Sequence, residues 1–259
     1  MVILKSPEEI EKIYSSNQVV AEILSKLESE IKPGIDTLYL NDLSERLAYE
    51  RNAIPAFKGY RGFPYSICAS LNNTVVHGFP SKTPLNEGDI ISLDFGVLLN
   101  GYYGDSAITV AVGKISESTR RLTQVTEDAL YQGIKKAIPG GRLSDISHAI
   151  QTHVEAAGFS VVRKFVGHGI GSNLHEEPQI PNFGKPGMGV RLKPGMTLAI
   201  EPMVNEKKYG VKILEDGWTA VTKDGSLSAH FEHTIAITES DPIILSKRNG
   251  SEKCQRKRR

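Results

Sequence analysis

The order of patterned segments predicts a mixed α/β (α+β) fold in two related halves, an antiparallel-rich sheet backed by helices. Two observations carry that expectation. Helical periodicity appears as two pairs, near 7–51 and near 118–157, and each pair is followed by a strand-rich stretch. Those stretches hold acidic residues inside apolar runs, two in the first (Asp94, Asp105) and two with a histidine in the second (His168, Glu201, Glu232).

The first helix opens at Ser6-Pro7-Glu8-Glu9, a capping box with proline at the first helical position. Ile10, Ile13, Val20, Ile23, Leu24, Leu27 and Ile31 then recur at helical spacing until Lys32-Pro33-Gly34 stops them. A second helix is expected from about Thr37 to Arg51, with Leu40, Leu43 and Leu47 buried. Next comes DIISLDFGVLL-NG-YYGDSAITVAV, a hairpin whose Asn100-Gly101 pair is a strong two-residue turn signal. With that turn, Leu99 faces Tyr102, Asp94 faces Ala107 and Phe95 faces Ser106. Asp94 and Asp105 then fall on one side of the sheet as diagonal neighbours. Helices return near 118–137, ending at Pro139-Gly140-Gly141, and near 144–157, ending at Gly158. The Pro/Gly-rich stretch 176–195 reads as a loop, and His148 and His153 as surface residues of the fourth helix.

Composition restricts the function classes. Hydrophobic content of 39%, charged content of 24% and a net charge of +1 suit an ordinary globular protein. No apolar run reaches the roughly 18 residues of a membrane span, and the start lacks a secretion signal, so a cytoplasmic address is expected. Cys68 and Cys254 are read as reduced. Residues 247–259 hold seven Lys/Arg against one Glu, +6, which leaves the body at −5. This tail is expected to be a disordered end that offers an electrostatic tether to RNA, after a single catalytic domain over 1–246. The body shows no basic stretch interleaved with aromatics, so no specific DNA partner is expected.

Carboxylates are rarely buried unless paired or bound to a cation. No Arg or Lys adjoins Asp94, Asp105, His168, Glu201 or Glu232 in the sequence, so divalent metal is the expected partner. Four ionised carboxylates carry −4, which two divalent ions balance and one does not. Oxygen-rich ligation with one imidazole suits Mn, Fe, Co or Zn. Two such ions about 3.5–4 Å apart activate a water and polarise the bond under attack. Phosphate esters usually recruit Arg or Lys, which these windows lack, so an amide is the better substrate. His77 and His175 add neutral imidazoles suited to an oxyanion or a leaving amide nitrogen.

Five segments, FKGYRGFPYSICASLNNTVVHGFP, LDFGVLLNGYYGDSA, FVGHGIGSNLHEEPQIPNFG, LAIEPMV and EDGWTAVTKDGSLSAHFEHT, together resemble the type I methionine aminopeptidases over about residues 3–243. The resemblance implies a pita-bread fold of two pseudo-symmetric halves around a dinuclear site. It implies removal of the initiator methionine from nascent chains whose second residue is small. By position, Asp94 would bind one metal, Asp105 and Glu232 would bridge both, and His168 and Glu201 would complete the second. Glu201 would also carry the proton of the bridging water or hydroxide. His77 would contact the scissile amide nitrogen or the substrate, and His175 would stabilise the tetrahedral oxyanion. Tyr60, Phe63, Cys68 and Trp218 would line the methionine pocket, where an apolar, sulfur-tolerant cavity suits a thioether.

The chain departs from the family pattern at Arg61, where histidine is common, and at Asn73 and Thr74. Phe57 and Leu174 fill variable positions beside the pocket. No zinc-binding N-terminal extension is evident, and 33 positions separate His168 from Glu201, too few for the type II insertion. The expected state is a monomer. A related Xaa-Pro peptidase and a metal-free binding protein of the same fold are the competing readings.

Overall fold

The computed structural model describes residues 2–248. Helix α1 (Pro7–Glu30) begins as its capping box dictates. The Glu9 amide donates to Ser6 Oγ at 3.3 Å, and the Ser6 amide donates back to Glu9 Oε2 at 2.8 Å. Helix α2 (Thr37–Glu50) is capped by Asp36, which accepts from the Tyr39 amide at 2.8 Å. Helices α3 (Glu117–Ile134) and α4 (Leu143–Ala156) complete the set. The expectation of 137 as the end of the third helix is corrected to Ile134. Beyond it the chain tightens into shorter-range bonds, Lys136 to Gly133 and Ala137 to Ile134, ahead of Pro139.

The hairpin pairs Ile90–Leu99 with Tyr102–Ala111. Its register matches the sequence expectation: Leu99 opposite Tyr102, Asp94 opposite Ala107, Phe95 opposite Ser106. Asn100 (φ 51°) and Gly101 (φ 83°) both take the left-handed conformation that a two-residue turn of this hand requires. The hairpin is part of a nine-stranded sheet. Helices α1 and α2 cover its first half over a core built on Val20, Leu24, Leu40, Leu93 and Phe95. Helices α3 and α4 cover the second half over Leu130, Ile146, Ile150, Leu198 and Ile235. The halves meet where the strand Glu232–Ala236 pairs antiparallel with the hairpin, Glu232 opposite Ala107 and His233 opposite Ser106. Outward from Glu232–Ala236 lie Thr197–Ile200, then Gly167–Gly169.

One segment read as loop contains a strand. Glu176–Ile180 pairs with Gly167–Gly169 at the end of the sheet. Pro178 obscured it in sequence, yet an end strand tolerates proline because one edge needs no ladder donor. In the expected basic tail only Lys247 and Arg248 are described, and Arg248 pairs with Glu28 of α1; residues 249–259 lie outside the described residues.

Candidate metal centre and its pocket

Register alone brings most of the acids together. Cys68 sits opposite Asp94, Asp94 opposite Ala107, and Ala107 opposite Glu232, so one row crosses four strands. Cross-strand partners share a face, and Asp105 lies two residues before Ala107 on that same face. Ala107 is the small residue that leaves room between the carboxylates. Glu201 follows immediately after Thr197–Ile200, and Asn182 Nδ2 holds its carbonyl at 3.0 Å. His168 occupies the middle of Gly167–Gly169, opposite Ala199.

The glycines around His168 are demanded by close backbone approach. A Cβ at Gly167 would stand 2.4 Å from the Ala199 carbonyl oxygen, and one at Gly169 would stand 2.3 Å from that of Glu177. His168 Nδ1 donates to the Gly169 carbonyl at 2.9 Å, which fixes the tautomer and turns the Nε2 lone pair towards the acids. Glu201 Oε1 is 3.6 Å from that Nε2. Ligand atoms of Asp105, His168 and Glu232 all fall within 4.8 Å of one another.

The electrostatics ask for a cation. Asp94 Oδ1, Asp105 Oδ1 and Glu232 Oε1 are buried and have no hydrogen-bond partner among the described residues. Burial pushes the Asp94 carboxyl up to about 7. Burial, then the charge of Asp94, pushes Asp105 well above the carboxylate range. Glu201 and Glu232 are raised for the same reasons, desolvation first and mutual repulsion second. His168 is lowered to about 4 by burial, so its imidazole is neutral and available as a ligand. Orphaned carboxylate oxygens around a neutral imidazole fit divalent cations, and Asp94, Asp105, His168, Glu201 and Glu232 are the residues that would hold them.

All eleven side chains singled out in sequence line one cavity: the five above with His77, His175, Tyr60, Phe63, Cys68 and Trp218. Phe57, Arg61 and Leu174 line it too. Its apolar part is a cluster of Phe57, Phe63, Cys68, Ile170 and Leu174, with Trp218 edge-on to Phe63 at 5.2 Å. Burial pushes the Cys68 thiol up, so it remains a protonated, unreactive wall. His77 follows the strand Thr74–Val76 at φ 59°, a left-handed conformation uncommon outside glycine and asparagine. That turn aims its ring between Phe165 and Trp218, and burial lowers its pKa to about 4. His175 stands at the rim, stacked on Tyr60 at 5.2 Å, with its Nδ1 2.9 Å from the Tyr60 hydroxyl. Desolvation, then neighbouring His168 and Arg61, hold it below its ordinary value.

Two features had no reading in sequence, and one reading is corrected. His230 is buried, its Nε2 has no hydrogen-bond partner among the described residues, and it lies 3.7 Å from Glu201 Oε2. The signal was its place two residues before Glu232, the spacing at which strand side chains share a face. Lys5 and Glu176 form a buried ion pair at 2.6 Å beneath the loop that carries His175. His153 is half-buried rather than superficial, because α4 turns it against its neighbours; His148 is exposed as expected.

Comparison with known proteins agrees with this geometry. The model for metallopeptidase family M24 matches residues 11–239. The chain is 55% identical over 247 residues to methionine aminopeptidase 1 of Bacillus subtilis, covering 95% of this chain and all of that one. The crystal structure of methionine aminopeptidase from Thermotoga maritima superposes with a TM-score of 0.94 at 50% identity, covering 95% of this chain and 100% of the other. A prolidase from Pyrococcus furiosus shares the pita-bread fold alone, with a TM-score of 0.78 at 24% identity over 65% of its length.

Proposed function

The chain belongs to metallopeptidase family M24, among the type I methionine aminopeptidases, and from that premise we propose how its own residues release an N-terminal methionine. The enzyme is a divalent-metal-dependent aminopeptidase acting on peptide and protein N-termini. The finer reading is a dinuclear site, ligated by Asp94, Asp105, His168, Glu201 and Glu232, and selective for a small second residue.

The observation that carries this reading is the acidic row lining the same cavity as an apolar cluster that includes Cys68. Phe57, Phe63, Cys68, Leu174 and Trp218 exclude water from the methionine side chain and favour its polarizable thioether. When bound, the divalent ions supply a water of lowered pKa and polarise the scissile carbonyl. Glu201, whose carboxylate lines the cavity beside His168, accepts the proton of the attacking water and delivers it to the departing amine. With the Tyr60 hydroxyl donating to Nδ1, His175 presents Nε2–H to the oxygen that gains charge. His77, which lines the same cavity, orients the amide nitrogen.

Purified protein with added Mn or Co is expected to release methionine from Met-Ala-Ser and not from Met-Lys peptides. Equal cleavage of both, or cleavage confined to Xaa-Pro substrates, would overturn the specificity assigned here. On the same reading the enzyme acts as a monomer in the cytoplasm on emerging chains. Residues 247–259 then add a salt-sensitive attraction to ribosomal RNA.

A further inference from the structure

We propose that Arg61 forms a rim subsite that recognises an acidic side chain at the third residue of the substrate. The proposal rests on the aminopeptidase reading of the cavity. Arg61 lines that cavity as its one cationic side chain, is exposed, and makes no hydrogen bond or ion pair among the described residues. Its neighbour Lys58 is already engaged, with Glu45 at 2.8 Å. The guanidinium lies over the Tyr60 ring, 5.3 Å from the centroid, on a residue held at φ 50°. Tyr60 in turn stacks on His175 at 5.2 Å. The guanidinium is therefore within about 10 Å of the imidazole, the span of about three extended residues.

A substrate with methionine in the apolar cluster and a small second residue has its first freely chosen side chain at position three. A carboxylate there meets a cation that makes no ion pair among the described residues, and a guanidinium offers it a two-pronged set of donors. A lysine there meets like charge.

The test compares kcat/KM for Met-Ala-Glu-Leu, Met-Ala-Gln-Leu and Met-Ala-Lys-Leu at low salt. Wild-type protein is expected to prefer Glu over Lys by about fivefold, mostly in KM, and to lose that preference in 0.5 M NaCl as the charges are screened, where the Debye length is only about 4 Å. Arg61→Asn is chosen because asparagine accepts a positive φ, so the turn survives. In that variant the Glu/Lys ratio should fall to about 1, and in Arg61→Glu it should invert. A guanidinium that merely packs on Tyr60 would change all three rates together. A flat series with Met-Ala-Gln-Leu cleaved, or a ratio unchanged in Arg61→Glu, overturns the subsite alone. Failure to cleave any of the three overturns the aminopeptidase reading as well.

Discussion

A neutral imidazole can serve as a ligand or as a hydrogen-bond donor, and in the mechanism proposed above His168 takes the first role and His175 the second, although their rings lie 4.2 Å apart. His168 spends Nδ1–H on the Gly169 carbonyl, so only its lone pair faces the carboxylates. His175 Nδ1 shares a hydrogen bond with the Tyr60 hydroxyl, and the role proposed for it requires the proton on Nε2. Replacing His168 by Ala should lower both bound metal and kcat, the latter by more than about 100-fold. His175→Ala should lower kcat by about 100- to 1000-fold with metal content unchanged. Metal analysis beside the tripeptide assay separates them, and full metal loss in His175→Ala would reverse the roles. A second residue-scale case is Lys5, whose side chain is 2% exposed against Glu176 at 6%. Lys5→Ala strands a buried carboxylate and should cost about 3–5 kcal/mol in urea unfolding. Adding Glu176→Leu to Lys5→Met should recover most of that loss; no recovery would mean that the pair itself, not the unpaired charge, sets the stability.

At the scale of elements, helix α1 joins cap to site. Its packing on the hairpin is so close that a Cβ at Gly104 would stand 2.6 Å from backbone atoms of Ser16 and Asn17. Asn17 then accepts from the amide of Asp105 at 3.3 Å. Ser6→Ala removes the cap of this helix and should cost about 1 kcal/mol. The same cap gives a pH dependence. The Ser6 amide first, and the Tyr102 hydroxyl second, hold Glu9 below its ordinary 4.5. The unfolded chain therefore binds the proton more tightly. The contribution of Glu9 is complete above about pH 4.5 and is lost as pH falls through its lower folded value. Glu9→Gln should flatten the urea-midpoint slope in that acid window and nowhere else; an unchanged slope would place it on other groups. These local devices were readable in sequence because each lies within a few residues: the capping box, and the Asn100-Gly101 turn that fixed the hairpin register. Glu176–Ile180 was not readable, since its partner comes from another segment and Pro178 hides its alternation. Lys5 and Glu176 lie 171 residues apart, beyond any local pattern. His230 was passed over although it stands two residues before Glu232, because that spacing places it on the acid's face only once Ser228–His230 and Glu232–Ala236 are known to run as strand.

The whole molecule is two helix-backed halves, each with a core of its own, joined along a seam where Glu232 faces Ala107. That seam is also where the charge of the site concentrates. Asp94 and Asp105 come from the first half; His168, Glu201 and Glu232 come from the second. Without a cation, keeping these carboxyls ionised works against the docking of one half on the other, so they bind protons more tightly, and their unpartnered oxygens add the cost of lost hydration. Metal binding and global stability are therefore coupled, since ions that bind the assembled site and not the unfolded chain stabilise by mass action. At a metal concentration about 100 times its dissociation constant, each such ion contributes about 2.7 kcal/mol. For a chain of this size that corresponds to a rise in Tm of about 5–10 °C. Calorimetry of chelator-treated protein titrated with Mn should show this rise as a single transition, because a shared seam stabilises both halves together. His168→Ala should blunt the rise. Two separating transitions, with only one moved by Mn, would instead mean that the ions sit within one half, and the seam would not be the metal site.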